Sequence, residues 1–186
     1  MSSISVWTVF EKTTAMPFEI LVPQCVIRPS YAILERAYGD YRGNPAPAGP
    51  TPRNQCAVRM SVALGRAGFG LESFPVPRRV KTRSHLPVPF VVGAHELASY
   101  LETTMGRPER FPGRRSTADL LQNRKGIIYF NDCFRREDGS AGDHIDLWNG
   151  SVYFNQVNNL PAGAEDPRSS GNLFGRSNRV WFWGLA

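Results

Sequence analysis

The chain has 186 residues, a hydrophobic content of 41% and a formal net charge of +6. This length suits one domain, and the lack of any long apolar run excludes a membrane-spanning helix. The N-terminal residues show no basic start followed by an apolar stretch, so we expect no classical signal peptide. The positive charge fits a solvated surface or attraction to an anionic polymer. No nucleic-acid-binding motif accompanies it, which argues against nucleic acid as the partner.

The cysteine content argues against a disulfide framework or a structural zinc site. The three cysteines, Cys25, Cys56 and Cys133, form no CxxC pair, so we expect neither a zinc ribbon nor a thioredoxin motif. Their odd number leaves at least one thiol unpaired within a monomer. Nothing in the spacing of Cys25 and Cys133 calls for a disulfide between them.

The first third of the chain alternates between irregular and helical patterns. Residues 1–27 are hard to classify, with a short strand predicted at residues 6–10. Residues 28–41 place three tyrosines and a leucine at helical spacing, which predicts a helix with a buried aromatic face. Residues 43–52 are rich in proline and predict a loop.

Residues 54–68, with the sequence NQCAVRMSVALGRAG, predict one amphipathic helix with a cysteine in its first turn. Asn54 is a favoured residue type before a helix, and Gly68 lies where a helix-terminating glycine is expected. Cys56 would then lie where backbone N–H groups lack intrahelical acceptors and the helix dipole is positive. A thiol loses its proton most readily in such a place and becomes a nucleophile.

Three further elements follow from apolar patterns. Residues 94–105 predict a helix, residues 126–130 a central strand, and residues 179–183 a final strand whose tryptophans belong to the core or the surface. His85 and His95 fall in a loop and at a helix start, and we interpret both as surface residues.

Residues 143–156 predict a β-hairpin, because Asn-Gly is a strong signal for a two-residue turn. The opposed pairs in this register are Trp148–Ser151, Leu147–Val152, Asp146–Tyr153, Ile145–Phe154 and His144–Asn155. One face carries the apolar residues Ile145, Leu147, Val152 and Phe154 and should meet the core. The other face carries His144, Asp146, Tyr153 and Asn155. Because opposed side chains lie about 5 Å apart, Asn155 could hydrogen-bond the His144 ring.

A cysteine on a helix with a histidine on a neighbouring strand indicates a cysteine protease or amidase. In this interpretation Cys56 is the nucleophile, His144 the base and Asn155 the residue that orients the base. Asp146, two residues from His144 on the same face, is the alternative orienting residue. The backbone N–H of Cys56 would stabilise an oxyanion, with the Gln55 side chain as a candidate second donor. A metal site is not expected, because further ligands at typical spacing are lacking.

Four segments resemble the type VI secretion amidase effectors of the fourth family, which are papain-like cell-wall hydrolases related to the NlpC-type peptidases. The segments are RPSY at residues 28–31, QCAVRMSVAL at 55–64, RKGIIYF at 124–130 and DHIDLWNG at 143–150. The resemblance implies a papain-like α+β fold over residues 28–186, with the nucleophile helix packed on an antiparallel sheet. Residues 1–27 would be an N-terminal extension of unclear role.

The resemblance also implies an activity and its partners. The nucleophile carries over to Cys56 and the base to His144, while the third residue of the family, an acid, falls at Asn155. The implied reaction is hydrolysis, without a cofactor, of the bond between D-glutamate and meso-diaminopimelate in peptidoglycan peptide stems. The effector would use the type VI apparatus to reach the periplasm of a Gram-negative rival, and a cognate immunity protein would protect the producer.

Two alternatives remain open at the level of the sequence. One is another papain-like cysteine protease or acyltransferase that uses the same residues. The other is a cell-wall-binding toxin module without catalytic activity.

Overall fold

In the computed structural model, the described residues are 5–13, 20–39, 55–71, 73–74, 79–80, 90–136, 138–154 and 172–186. The predicted N-cap Asn54, the proline-rich loop, His85 and Asn155 lie outside these ranges. Of the helices that the structure describes, none combines the length and the apolar character needed to cross a bilayer.

The described chain is a mixture of helices and strands, as the sequence predicts. The helices are α1 (Tyr31–Gly39), α2 (Cys56–Arg66), α3 (Ala94–Thr104), α4 (Ser116–Leu120) and α5 (Leu173–Arg176). The strands are β1 (Ser5–Thr13), β2 (Ile20–Arg28), β3 (Arg79–Val80), β4 (Phe90–Val91), β5 (Glu109–Pro112), β6 (Gly126–Arg135), β7 (Ala141–Trp148) and β8 (Arg179–Gly184).

The main sheet is antiparallel and has the strand order β5-β8-β6-β7. The predicted central strand lies within β6, which pairs with β7 on one side and β8 on the other. The predicted final strand is β8. Strand β7 lies at one edge of this sheet, and helix α2 packs against it. The topology therefore brings the predicted nucleophile helix to the strand that carries His144.

The N-terminal segment is more regular than its sequence suggests. Instead of one short strand at residues 6–10, β1 and β2 form a long antiparallel hairpin. The helix predicted from residue 28 begins three residues later, at Tyr31, because Arg28 is the last residue of β2. The Arg28 guanidinium donates hydrogen bonds to the carbonyls of Met105 and Gly184, at 2.6–3.2 Å. These bonds connect the end of the hairpin to the ends of α3 and β8.

Two groups of buried side chains cover opposite faces of the main sheet, because successive residues of a strand point to opposite sides. The first group joins Ile127, Ile145 and Leu147 to α1, α2 and α3. The second joins Ile128, Phe130 and Trp148 to α4 and α5. Tyr31, Leu34 and Tyr38 of the face predicted for α1 are buried in the first group, and so is Trp183. Tyr41 lies outside the described residues. Trp181 is half-buried and packs against the same group.

Helix α2 ends as the sequence predicts. Gly68 adopts the left-handed conformation, with φ of 82°. Its N–H donates to the Gly65 carbonyl at 3.1 Å, and the N–H of Phe69 donates to the Leu64 carbonyl at 2.9 Å. This pair of bonds is the Schellman arrangement, which satisfies the last carbonyls of a helix and favours glycine at this position.

The hairpin after β7 follows the predicted faces but not the predicted register. Trp148 pairs with Tyr153, not with Ser151, and the N–H of Phe154 donates to the Leu147 carbonyl at 3.0 Å. The turn predicted at Asn149–Gly150 is therefore displaced by one residue: the Asn149 N–H donates to the Val152 carbonyl at 3.1 Å, which leaves Gly150 and Ser151 as the loop. The Asn149 side chain accepts hydrogen bonds from the N–H groups of Ser151 and Val152, both at 3.0 Å, and this closes the displaced turn.

Candidate active site

Cys56 is the first residue of α2 and is only 3% exposed. Its place in the first turn confirms the sequence prediction. The side chain lies in the core group that joins α2 to β7, while the N–H groups of the first helical turn point away from the helix body. An anion that forms beside the sulfur would meet these donors and the positive end of the helix dipole.

His144 and Asp146 both lie on β7 and are almost completely buried, with exposed fractions of 2% and 0%. The His144 Nε2–H donates to Asp146 Oδ2 at 3.1 Å. The other carboxylate oxygen, Oδ1, accepts from the backbone N–H of Leu147 at 2.8 Å. The Phe130 ring stacks on the imidazole with an interplanar angle of 29°. The ring of His144 is therefore fixed on one edge by a carboxylate and on one face by an aromatic side chain.

The protonation of His144 is coupled to both neighbours. Burial of the ring lowers its pKa, but hydrogen bonding to Asp146 and Cys56, together with their charges, outweighs this effect and raises the pKa to about 10. Because Nε2 is taken by Asp146, and Nδ1 is buried without a regular hydrogen bond, Nδ1 is the nitrogen left to exchange a proton with the Cys56 thiol. This environment favours the protonated imidazole.

Strand β6 contains a bulge opposite the residues of β7 that precede His144. Strand pairing runs from Phe130–His144 to Phe134–Gly142, so β6 has extra residues here. Asp132 within the bulge has a positive φ of 51°, and its N–H donates to the Asp143 carboxylate at 2.9 Å. Bulges of this type are common beside active sites, where they redirect side chains. The sequence carries no signal from which this bulge could be predicted.

The structure brings together Cys56, His144 and the alternative orienting residue, Asp146. Asn155 lies outside the described residues, so its role stays a prediction, and the register that placed it opposite His144 is wrong. Gln55 is buried directly before Cys56. Its backbone carbonyl accepts a hydrogen bond from the backbone N–H of Arg59 at 2.9 Å. Its function as an oxyanion donor also stays a prediction.

Two buried residues near the site were not predicted as functional. Tyr38 of α1 and Arg59 of α2 are both almost fully buried. Burial raises the pKa of Tyr38 well above its usual value, and the charge of Asp146 raises it further. The sequence shows that Arg59 lies one helical turn after Cys56. It does not indicate that this charged residue is buried.

Of the remaining thiols and histidines, the structure describes the side chains of Cys133 and His95. Cys133 is a free, buried thiol, and burial together with the nearby Cys56 raises its pKa to about 12. His95 is exposed, as predicted, and its Nδ1 lies 2.9 Å from the Tyr129 hydroxyl. Within the described ranges, no group of three or more His, Cys, Asp or Glu side chains could hold a metal ion.

A thiol at a helix N-terminus, an imidazole on the adjoining antiparallel strand and a carboxylate behind the imidazole define the papain-like class of cysteine hydrolases. The model of the family described as "Type VI secretion system (T6SS), amidase effector protein 4" matches residues 53–183. The chain belongs to this family. It is therefore a peptidoglycan amidase that cleaves the bond between D-glutamate and meso-diaminopimelate, and the type VI system delivers it to target cells.

Solved structures of such effectors share the fold. Tae4 from Salmonella typhimurium, bound to the immunity protein Tai4 from Enterobacter cloacae, is 20% identical with a TM-score of 0.62, covering 86% of this chain and 100% of that one. Tae4 from Enterobacter cloacae is 18% identical with a TM-score of 0.62, covering 88% and 100% of the two chains. These likenesses confirm the predicted papain-like α+β fold. No curated protein sequence matches the chain.

Proposed function

We propose that this amidase works through Cys56 as nucleophile, His144 as general base and acid, and Asp146 as the residue that orients His144. The observation that carries the proposal is the buried contact between His144 Nε2 and Asp146 Oδ2 at 3.1 Å, with the Cys56 thiol beside the same ring. A ring held in this way has one tautomer and one orientation, which proton transfer to and from sulfur requires.

The first half of the reaction makes an acyl-enzyme. The Cys56 sulfur attacks the D-glutamyl carbonyl carbon, and the carbonyl oxygen becomes an oxyanion. The C–N bond to diaminopimelate then breaks, and the proton held on His144 Nδ1 passes to the leaving amine. The products of this half are a free amine and a thioester on Cys56.

The second half releases the stem and restores the enzyme. Water attacks the thioester carbonyl while neutral His144 accepts one proton from the water. The C–S bond breaks, and the D-glutamyl carboxylic acid leaves and loses the second proton of the water to solvent. The Cys56 sulfur is left as a thiolate beside protonated His144. No cofactor takes part in either half, because both are acid–base and nucleophilic steps.

The oxyanion of each half would form beside the start of α2. The backbone N–H of Cys56 is one donor, and the amide of the Gln55 side chain is the second. Both lie where the dipole of α2 is positive, which stabilises negative charge that appears only in the transition state.

The partners follow from the family. Tae4 of Salmonella typhimurium is bound by Tai4 in the matching structures, and we propose that a cognate immunity protein binds this chain in the same way. We also propose that it acts in the periplasm of Gram-negative target cells, where the peptide stems are.

The test is digestion of purified peptidoglycan by the wild type and by Cys56→Ala, with the stems identified by mass spectrometry. We expect the wild type to cut after D-glutamate and the variant to be inactive. Cleavage that survives Cys56→Ala would refute the proposed nucleophile. Transfer of the stem to an added amine instead of water would indicate an acyltransferase, and binding without cleavage would indicate a wall-binding module.

A further inference from the structure

Arg59 carries a charge at a place where charges are rarely found. It lies one helical turn after Cys56 on α2, and its side chain is only 4% exposed. Residues three apart on a helix are neighbours on one face. Removing a guanidinium from water is costly unless negative partners surround it. The position therefore needs an explanation beyond packing.

The ionisable groups that interact with Arg59 come from three elements. Burial lowers the pKa of Arg59, and the electrostatic influence of Tyr38, Asp146 and Cys56 opposes this effect. Tyr38, whose own pKa is raised well above its usual value, is a neutral phenol at neutral pH. Tyr38 lies on α1, Asp146 on β7 and Cys56 on α2 itself, and α2 packs against both α1 and β7. Two of these three groups are members of the proposed catalytic site.

Asp146 needs a lasting source of positive charge. Its carboxylate is fully buried and accepts hydrogen bonds from His144 Nε2 and the Leu147 N–H. Imidazolium balances this charge, but His144 becomes neutral each time it gives its proton to the leaving amine. At that moment a fixed cation is needed to balance the buried carboxylate. An arginine keeps its proton throughout the reaction.

We propose that Arg59 is a positioning residue whose buried guanidinium balances the charge of Asp146 behind His144 and attracts negative charge that develops on Cys56. It acts through these two side chains and does not contact the substrate. The inference rests on the roles given above to Cys56, His144 and Asp146.

The proposal predicts the direction of a pH shift. The charged groups that face His144 are Asp146 from its own strand and Cys56 from α2. Without the cation, Cys56 ionises less readily, and the carboxylate holds the imidazolium proton more strongly. The pH at which Cys56 gains reactivity and the pH at which His144 loses its proton therefore both rise. The size expected for one nearby charge is about one pH unit.

The experiment compares Arg59→Met, which keeps the side-chain stem, with Arg59→Lys, which keeps the charge. Leu64→Ala, a core change farther along the same helix, is the matched control for lost stability. The measurements are the rate of Cys56 alkylation by iodoacetamide against pH, located by mass spectrometry, together with peptidoglycan turnover and thermal unfolding.

We expect Arg59→Met to shift the alkylation profile by about one pH unit and to lower turnover at neutral pH about tenfold. Arg59→Lys should keep an alkylation profile close to that of the wild type. Leu64→Ala should lower only the unfolding temperature. A wild-type profile in Arg59→Met would overturn the proposal. If that variant does not fold, Arg59→Gln, which is polar and uncharged, carries the same test.

The two proposals fail in different ways. If the wild type does not cleave peptidoglycan but Arg59→Met still shifts the alkylation profile, the proposed function is wrong and the role of Arg59 stands. If cleavage occurs and the profile does not move, only the role of Arg59 is wrong.

Discussion

The His144 imidazole and the Asp146 carboxylate are joined by a 3.1 Å hydrogen bond within one strand, and neither side chain has appreciable contact with solvent. Residues two apart on a strand point to the same face, so this contact is local and does not depend on a turn. The pairing of His144 with Asn155, in contrast, needed a particular hairpin register, which the structure does not have.

Asp146→Asn should lower turnover about 10³-fold, because an amide can stabilise the wrong tautomer of His144 and cannot balance its charge. Asn155→Ala should cost less, which reverses the ranking expected from the sequence alone. The measurement is the initial rate of muropeptide release at a fixed enzyme concentration, with thermal unfolding as the control for folding. A greater loss in Asn155→Ala would make Asn155 the orienting residue.

The stability of the protein should fall as the pH rises above neutrality. The folded state raises the pKa of His144 from 6.5 to about 10, so folding favours the protonated ring. This contribution is fully present below pH 6.5 and is lost progressively as the pH approaches 10. Urea unfolding at pH 6, 8 and 10 measures it, and His144→Asn should remove this part of the pH dependence. An identical pH dependence in that variant would show that His144 is not its source.

Cys56 and Cys133 should differ sharply in reactivity. Burial, reinforced by Cys56 and Asp143, raises the pKa of Cys133 to about 12, so almost no thiolate forms there at neutral pH. Iodoacetamide at pH 7 should label Cys56 and spare Cys133, as peptide mass mapping would show. Cys133→Ala should keep the turnover of the wild type, and a large loss of turnover without loss of folding would give Cys133 a function in catalysis.

The sequence predicts the parts of the site that depend on local patterns. Helical periodicity and Gly68 predicted α2, and strand alternation placed Ile145 and Leu147 on one core face and Trp148 on the other. The predicted register is wrong because the Asn149 side chain accepts two backbone hydrogen bonds and the turn is displaced by one residue, to Gly150–Ser151. Turn propensities do not include this competition from a side chain. The partners of Arg59 come from distant segments, so they become visible only once the chain is folded.

Gln55→Ala should lower the turnover number about 100-fold with little change in KM, because an oxyanion donor acts mainly in the transition state. Gln55→Glu is the sharper variant, since it keeps the shape of the side chain but replaces the donor with an acceptor. Single-turnover kinetics on a stem peptide would separate acylation from substrate binding, and Cys56 alkylation would check that the thiol is intact. If Gln55→Glu acylates at the rate of the wild type, the second donor is another group, and Gln55 has only a structural role beside Cys56.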